Sequence, residues 1–255
     1  MGWLGRLFRR PPPAVPDPLW QDTLAALPFL ARLPAADLAR LKSLTEQFLV
    51  QKQFSAAGGL ELTDAMAVHI AAQGCLPILN LGLAWYRGWV EVVVYPDEFV
   101  IARQVMDESG VVHEYDEVVS GEAWEGGPLV ISWSDVAMAG AGYNVVIHEF
   151  AHKLDMLNGA PDGMPPLHPD MDREAWLAAF DAAYDDFCRR VERAECQGEA
   201  ALDQLPIDPY GAEHPGEFFA VMSENFFEQP ALVRAEYPAL YEQLRRFYRQ
   251  DPLAD

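Results

Sequence analysis

Two histidines four residues apart with a glutamate beside the first, His148-Glu149-Phe150-Ala151-His152, are the residues of this chain best placed to do chemistry. On a helix, positions i and i+4 share a face, so the two imidazoles would converge on one metal ion, about 2.0–2.1 Å away if it is zinc. Glu149 then stands beside the metal rather than on it, placed to take a proton from a metal-activated water. That is the mechanical content of the His-Glu-x-x-His pattern, and the reaction it points to is peptide-bond hydrolysis. His113-Glu114 is a contrast: no second histidine follows four residues on, and the pair reads as part of a strand.

A catalytic zinc needs a third protein ligand and one open position. The longer pattern, with a glycine and a third histidine farther along the helix, is absent, since Asp155 and Asn158 occupy those places. A carboxylate from elsewhere is needed, and Glu217 is a candidate, set among Phe218, Phe219, Val221 and Met222 just after Pro215, which marks a first helical turn. On spacing alone Glu224, Glu213 and Asp155 compete with it. Asp155, three residues beyond His152 on roughly the same face, is a group to orient a ligand histidine from behind or to pair with Lys153. Tyr210 either offers its hydroxyl to a developing oxyanion or packs as an ordinary turn tyrosine.

These residues need elements to hold them. Asn144 as N-cap and Asn158-Gly159 as a left-handed stop delimit a metal helix over about 144–157. Apolar residues at helical intervals predict two packed helices across 20–54, and Thr63 caps a third that runs toward Gly74. Residues 90–95, 99–106, 111–119 and 129–133 are β-branched or alternating runs broken by Pro96, Asp107–Gly110 and Glu125–Pro128, which predicts a small, largely antiparallel sheet. Helices return over 172–194, where Trp176, Phe180, Tyr184, Phe187 and Val191 form one stripe, and from Pro215 onward. Between the metal helix and the 172–194 helix, 158–171 is a Pro/Gly/Asp-rich loop that borders the cleft and is the candidate gating element.

The fold class expected is therefore α+β: a proline-rich lead-in over 1–18 and one mostly helical domain over 19–255, the sheet above the metal helix and a cleft between. Strand 129–133 is expected at the sheet edge, where an extended peptide pairs with it. With 39 acidic against 18 basic residues and a net charge of -21, nucleic-acid and anionic-membrane partners are disfavoured. Three cysteines without metal or redox spacing, a short N-terminal apolar stretch and no membrane-length run give the expectation of a soluble cytoplasmic protein.

The chain resembles the Mlc titration factor A family of bacterial zinc peptidases. The resemblance rests on Leu60-Glu-Leu-Thr-Asp64, Ile70-Ala-Ala-Gln-Gly-Cys-Leu-Pro77, Leu129-Val-Ile-Ser-Trp133, the whole of 142–156, Pro215-Gly-Glu-Phe-Phe-Ala-Val221 and Phe247-Tyr-Arg-Gln-Asp-Pro-Leu253. It implies a zincin-like, gluzincin-type fold similar to the catalytic core of anthrax lethal factor. It also implies zinc on His148, His152 and Glu217, Glu149 as general base, and Tyr210 as the transition-state tyrosine. The activity implied is aminopeptidase-type hydrolysis of small peptide substrates, and the partner implied is the glucose-responsive repressor Mlc. The alternative is a non-catalytic protein that sequesters a transcriptional repressor around a structural zinc; an open coordination position and an intact Glu149 argue against that version.

Overall fold

The computed structural model describes residues 14–106, 112–140 and 142–254, with the backbone alone across 101–106 and 112–118. The lead-in through Pro13 and the Asp107–Gly110 break lie outside the described residues. The packed chain already includes Val15, which is buried and whose N–H donates to Glu46 Oε1 at 3.0 Å, four residues ahead of the expected start at Leu19.

Helices α1 (Asp17–Ala26), α2 (Pro28–Ala31) and α3 (Ala35–Gln51) open the fold, each beginning at or next to a proline, whose fixed φ suits a first turn. Strand β1 (Gln53–Ala56) follows at once, where the sequence reading extended the helical run to Phe54. Thr63 caps α4 (Asp64–Cys75) as expected, its Oγ1 accepting from the Met66 N–H. Then come β2 (Glu91–Tyr95), the hairpin β3 (Phe99–Met106) with β4 (Val112–Val119), and β5 (Gly121–Ala123) and β6 (Leu129–Ser132). His113 and Glu114 lie on β4, opposite Val105 and Gln104.

The sheet departs from expectation. Its order is β1-β2-β6-β5, with β1/β2 and β2/β6 parallel and only β5/β6 antiparallel, while β3 and β4 pair separately. It is a small mixed sheet, not a largely antiparallel one. Parallel neighbours need a crossover, which the α4 region supplies between β1 and β2. All four residues of β6 are buried, as suits a strand covered on both sides. Strand 129–132 is thus interior, and the edges are β1 and β5, with β5 beside it.

The remaining elements are helical: α5 (Trp133–Val136), α6 (Val145–Asp155), α7 (Arg173–Gln197), α8 (Glu199–Leu202), a 3-10 turn (Pro209–Ala212), α9 (Pro215–Glu228), α10 (Pro230–Glu236) and α11 (Pro238–Tyr248). Helix α6 lies at the centre, packed on α9, α4, β5 and β6. Its Phe150 ring sits 5.2–5.8 Å from the rings of Tyr86, Phe48 and Trp89. Gly74 of α4 makes room for that ring, since a Cβ there would lie 2.4 Å from it. Apolar burial on every side of α6 and α9 fixes two helices against each other, and the polar residues on their shared face become the site.

Candidate metal centre

Helix α6 begins at Asn144, whose side chain accepts from the Ile147 N–H at 2.9 Å and so satisfies one of the free first-turn donors. The same side chain donates to Gln73 Oε1 at 2.7 Å and Glu228 Oε1 at 2.8 Å, and its backbone N–H donates to Glu224 Oε2. The helix start is therefore locked to α4 and α9. Helix α9 begins at His214, whose Nδ1 accepts from the Gly216 N–H. From there Glu217, Glu224 and Glu228, spaced seven and four apart, lie on one helical face, and that face meets α6.

His148, His152 and Glu217 come together as the sequence reading required. Glu217 Oε2 lies 3.0 Å from His148 Nε2 and 3.1 Å from His152 Nε2, and the two Nε2 atoms are 3.1 Å apart. This is the one group of three potential metal donors among the described residues. The triangle is nearly the size that three donors on one tetrahedral zinc would take, roughly 3.3 Å on an edge. Its chemistry also fits a cation. His148 Nδ1 lies 2.8 Å from Glu224 Oε1, which holds the proton on Nδ1 and turns the Nε2 lone pair toward the triangle. A lone pair facing two further acceptors is stable only with a proton or a metal between them.

Glu224 and Glu213, rivals of Glu217 on spacing, stand outside that triangle. Glu224 stands behind His148, the kind of place that the sequence reading proposed for Asp155. Asp155 Oδ2 accepts from the Gly163 N–H at 2.8 Å, while its Oδ1 makes no hydrogen bond among the described residues. It pins loop 158–171 to the metal helix, helped by Trp176 Nε1 on the Gly163 carbonyl and by His168 Nε2 beside the Phe247 carbonyl. Nor does Asp155 pair with Lys153, whose Nζ donates to the carbonyls of Trp124, Gly127 and Pro128 at 2.6–3.1 Å and ties the β5–β6 turn to α6. The signal for Glu224 and Glu228 was present in the sequence as acids at one-face spacing on a helix otherwise too apolar to tolerate them.

Burial sets the electrostatics. It pushes the Glu149 carboxyl up to about 7, against the pull of His148 and His152. Burial likewise lifts Asp155 to about 7 and brings the Lys153 ammonium down to about 8. Burial would lower His148, but its hydrogen bonds to Glu217 and Glu224 outweigh that and hold the imidazole well above its ordinary value. Burial opposes ionisation of Glu217 too, and the two histidines overcome it, keeping its carboxyl well below the usual range.

A cleft of about 300 Å³ opens beside the triangle, lined among others by Gly121, Tyr143, His148, Glu149, Asp208 and Tyr210. Glu149 is 5% exposed, and its Oε2 makes no hydrogen bond among the described residues. Gly121 of the edge strand faces it: a Cβ there would lie 2.5 Å from Glu149 Oε1, so only glycine leaves the carboxylate its place. Tyr210, 42% exposed, sits on the 3-10 turn with its ring 6.0 Å from that of His148. The arrangement brings three potential metal donors, a buried carboxylate and a tyrosine ring to one cleft.

Residues 6–249 match the family model for glucose-regulated metallo-peptidase M90. A Salmonella arizonae protein named Mlc titration factor A is 42% identical over 238 residues, 92% of this chain and 92% of that protein. Proteins of the same name from Salmonella typhimurium and Salmonella enteritidis are 41% identical over 235 residues, 91% of this chain and 86% of theirs. Among the described residues no helix is long and apolar enough to cross a membrane.

Proposed function

The chain belongs to the glucose-regulated metallopeptidase M90 family, and from that premise we propose that it is a cytoplasmic zinc peptidase of aminopeptidase type with a zincin-like core similar to that of anthrax lethal factor. The observation that carries the reading is the convergence of His148 Nε2, His152 Nε2 and Glu217 Oε2 within 3.1 Å of one another, beside a buried carboxylate. Zinc held there supplies Lewis acidity, which lowers the pKa of water toward about 7 and polarises a carbonyl.

The other steps belong to the chain's own residues. Glu224 fixes the His148 tautomer and so the direction of its lone pair. Glu149 Oε2, buried and without a hydrogen-bond partner among the described residues, accepts the proton of the attacking water and later hands it to the leaving amine. The Tyr210 hydroxyl steadies the oxyanion from the open side of the cleft. The substrate lies extended along edge strand β5, pairing with Gly121–Ala123 by strand addition. That moves the docking strand from 129–133 to its antiparallel neighbour, which lies against Glu149.

A second role is suggested by the relatives' name, Mlc titration factor A: binding of a glucose-responsive repressor, for which zinc would have a structural part only. Glu149→Gln separates the roles. Turnover of small aminoacyl and peptide substrates by the zinc-loaded protein should fall by about 10²–10⁴-fold, while zinc content and capture of the purified repressor persist. Undiminished turnover would remove Glu149 as the base, and loss of capture would make the two roles one.

A further inference from the structure

We propose that Asp208 selects substrates with a positive charge close to the scissile bond, an inference that rests on the peptidase reading above. Asp208 lines the metal cleft and also an adjoining hollow of about 290 Å³, which meet at Asp208 and Tyr143. It is exposed, and one oxygen, Oδ1, accepts from the Tyr210 N–H at 2.9 Å. The second oxygen is thereby left for a ligand, two residues from the Tyr210 ring that stands over His148.

The other acids of the cleft are already committed. Glu224 is held by His148 and the Asn144 N–H, and Glu149 is placed for proton transfer. Among the described residues no lysine or arginine lines the cleft. Away from the metal donors, a substrate charge beside Asp208 meets a carboxylate and neither of those cations, so a cation is favoured at that end. The buried Glu149 Oε2, which makes no hydrogen bond among the described residues, lines the same cleft, so a substrate held at Asp208 lies beside the proposed base. A volume of about 300 Å³ accommodates one or two residues of a peptide. The cation is either a free α-amino group, as an aminopeptidase requires, or a lysine or arginine side chain.

Asp208→Asn removes the charge while its amide oxygen still accepts from Tyr210, so the turn and the tyrosine stay in place. The zinc-loaded variant and wild type are compared on alanyl-, N-acetylalanyl- and N-acetyllysyl-p-nitroanilide, with calorimetric binding of alaninamide and N-acetylalaninamide as a readout that needs no turnover. The expected result is a KM about tenfold higher for the cationic substrates at nearly unchanged kcat, no change for N-acetylalanyl, and a matching loss of alaninamide binding. An effect on the alanyl substrate alone identifies the α-amino group, and one shared with N-acetyllysyl a general cation site. Equal kinetics and binding in both proteins, or an equal loss on all substrates, overturns the role of Asp208. A wild type that turns over nothing yet binds alaninamide through Asp208 overturns the peptidase reading and leaves the cation site standing.

Discussion

On the helical side of the cleft, charges are answered inside the protein. Glu217 lies against both histidines, Glu224 against His148 and the Asn144 N–H, and Glu228 against Asn144 and the Gly142 N–H. At the mouth of the same cleft stand Gly121 of β5, which has no side chain, and Asp208 and Tyr210 of the 3-10 turn, which are exposed. A buried charge without a partner costs several kcal/mol, so the α6–α9 wall is stable only as a complete network and holds its donors rigidly. The mouth of the cleft is more exposed, and Asp208 there stands where a substrate would enter. In the proposed reading the helical wall carries the metal donors and Glu149, and the mouth selects the substrate.

This contrast can be broken from the helical side first. Glu224→Gln keeps the shape but weakens the hold on His148, and zinc affinity should fall by 10–100-fold in chelator competition; unchanged affinity would show that the network does not orient the ligand. Asp155, like Glu149, departs from that pattern: it is fully buried, and its Oδ1 makes no hydrogen bond among the described residues. With its pKa pushed up to about 7 in the fold against about 3.9 unfolded, the folded state binds more protons between those values. Stability of the metal-free protein should therefore fall as pH rises through that window, present below about 4 and lost by about 7. Asp155→Asn, still able to accept from Gly163, should flatten the fall by roughly 2 kcal/mol in thermal melts; parallel pH profiles would contradict it. At the mouth, Gly121→Ala crowds Glu149 Oε1 without touching a metal donor, so kcat should drop about tenfold with zinc affinity unchanged. If zinc affinity falls with it, the wall and the mouth are not independent.

Legibility in the sequence divides along a similar line. The metal helix, its Asn144 cap, the Thr63 cap and the aromatic stripe of α7 all depend on neighbours within a turn or two, and local spacing revealed them. Strand β1 was absorbed into the helical run before it because four residues are too short to show a period of two. The parallel pairing of β1, β2 and β6 is fixed by a crossover, which no local pattern records, so 129–133 looked like an edge. Glu217 could be nominated but not separated from Glu224, because the distinction lies in which oxygen faces which imidazole nitrogen. Tyr210 and Asp208 stand on a turn where no periodicity operates, and only their approach to His148 and to the cleft sets them apart.

The central claim is that His148, His152 and Glu217 hold a zinc ion that Glu149 does not bind. Elemental mass spectrometry on the purified wild type, Glu217→Ala and Glu149→Gln, each equilibrated with limiting zinc, tests it most directly. The account predicts one zinc per chain in the wild type and in Glu149→Gln, with little retained in Glu217→Ala. A wild type that stays metal-free, or a Glu217→Ala protein that retains zinc as tightly as the wild type, would contradict it.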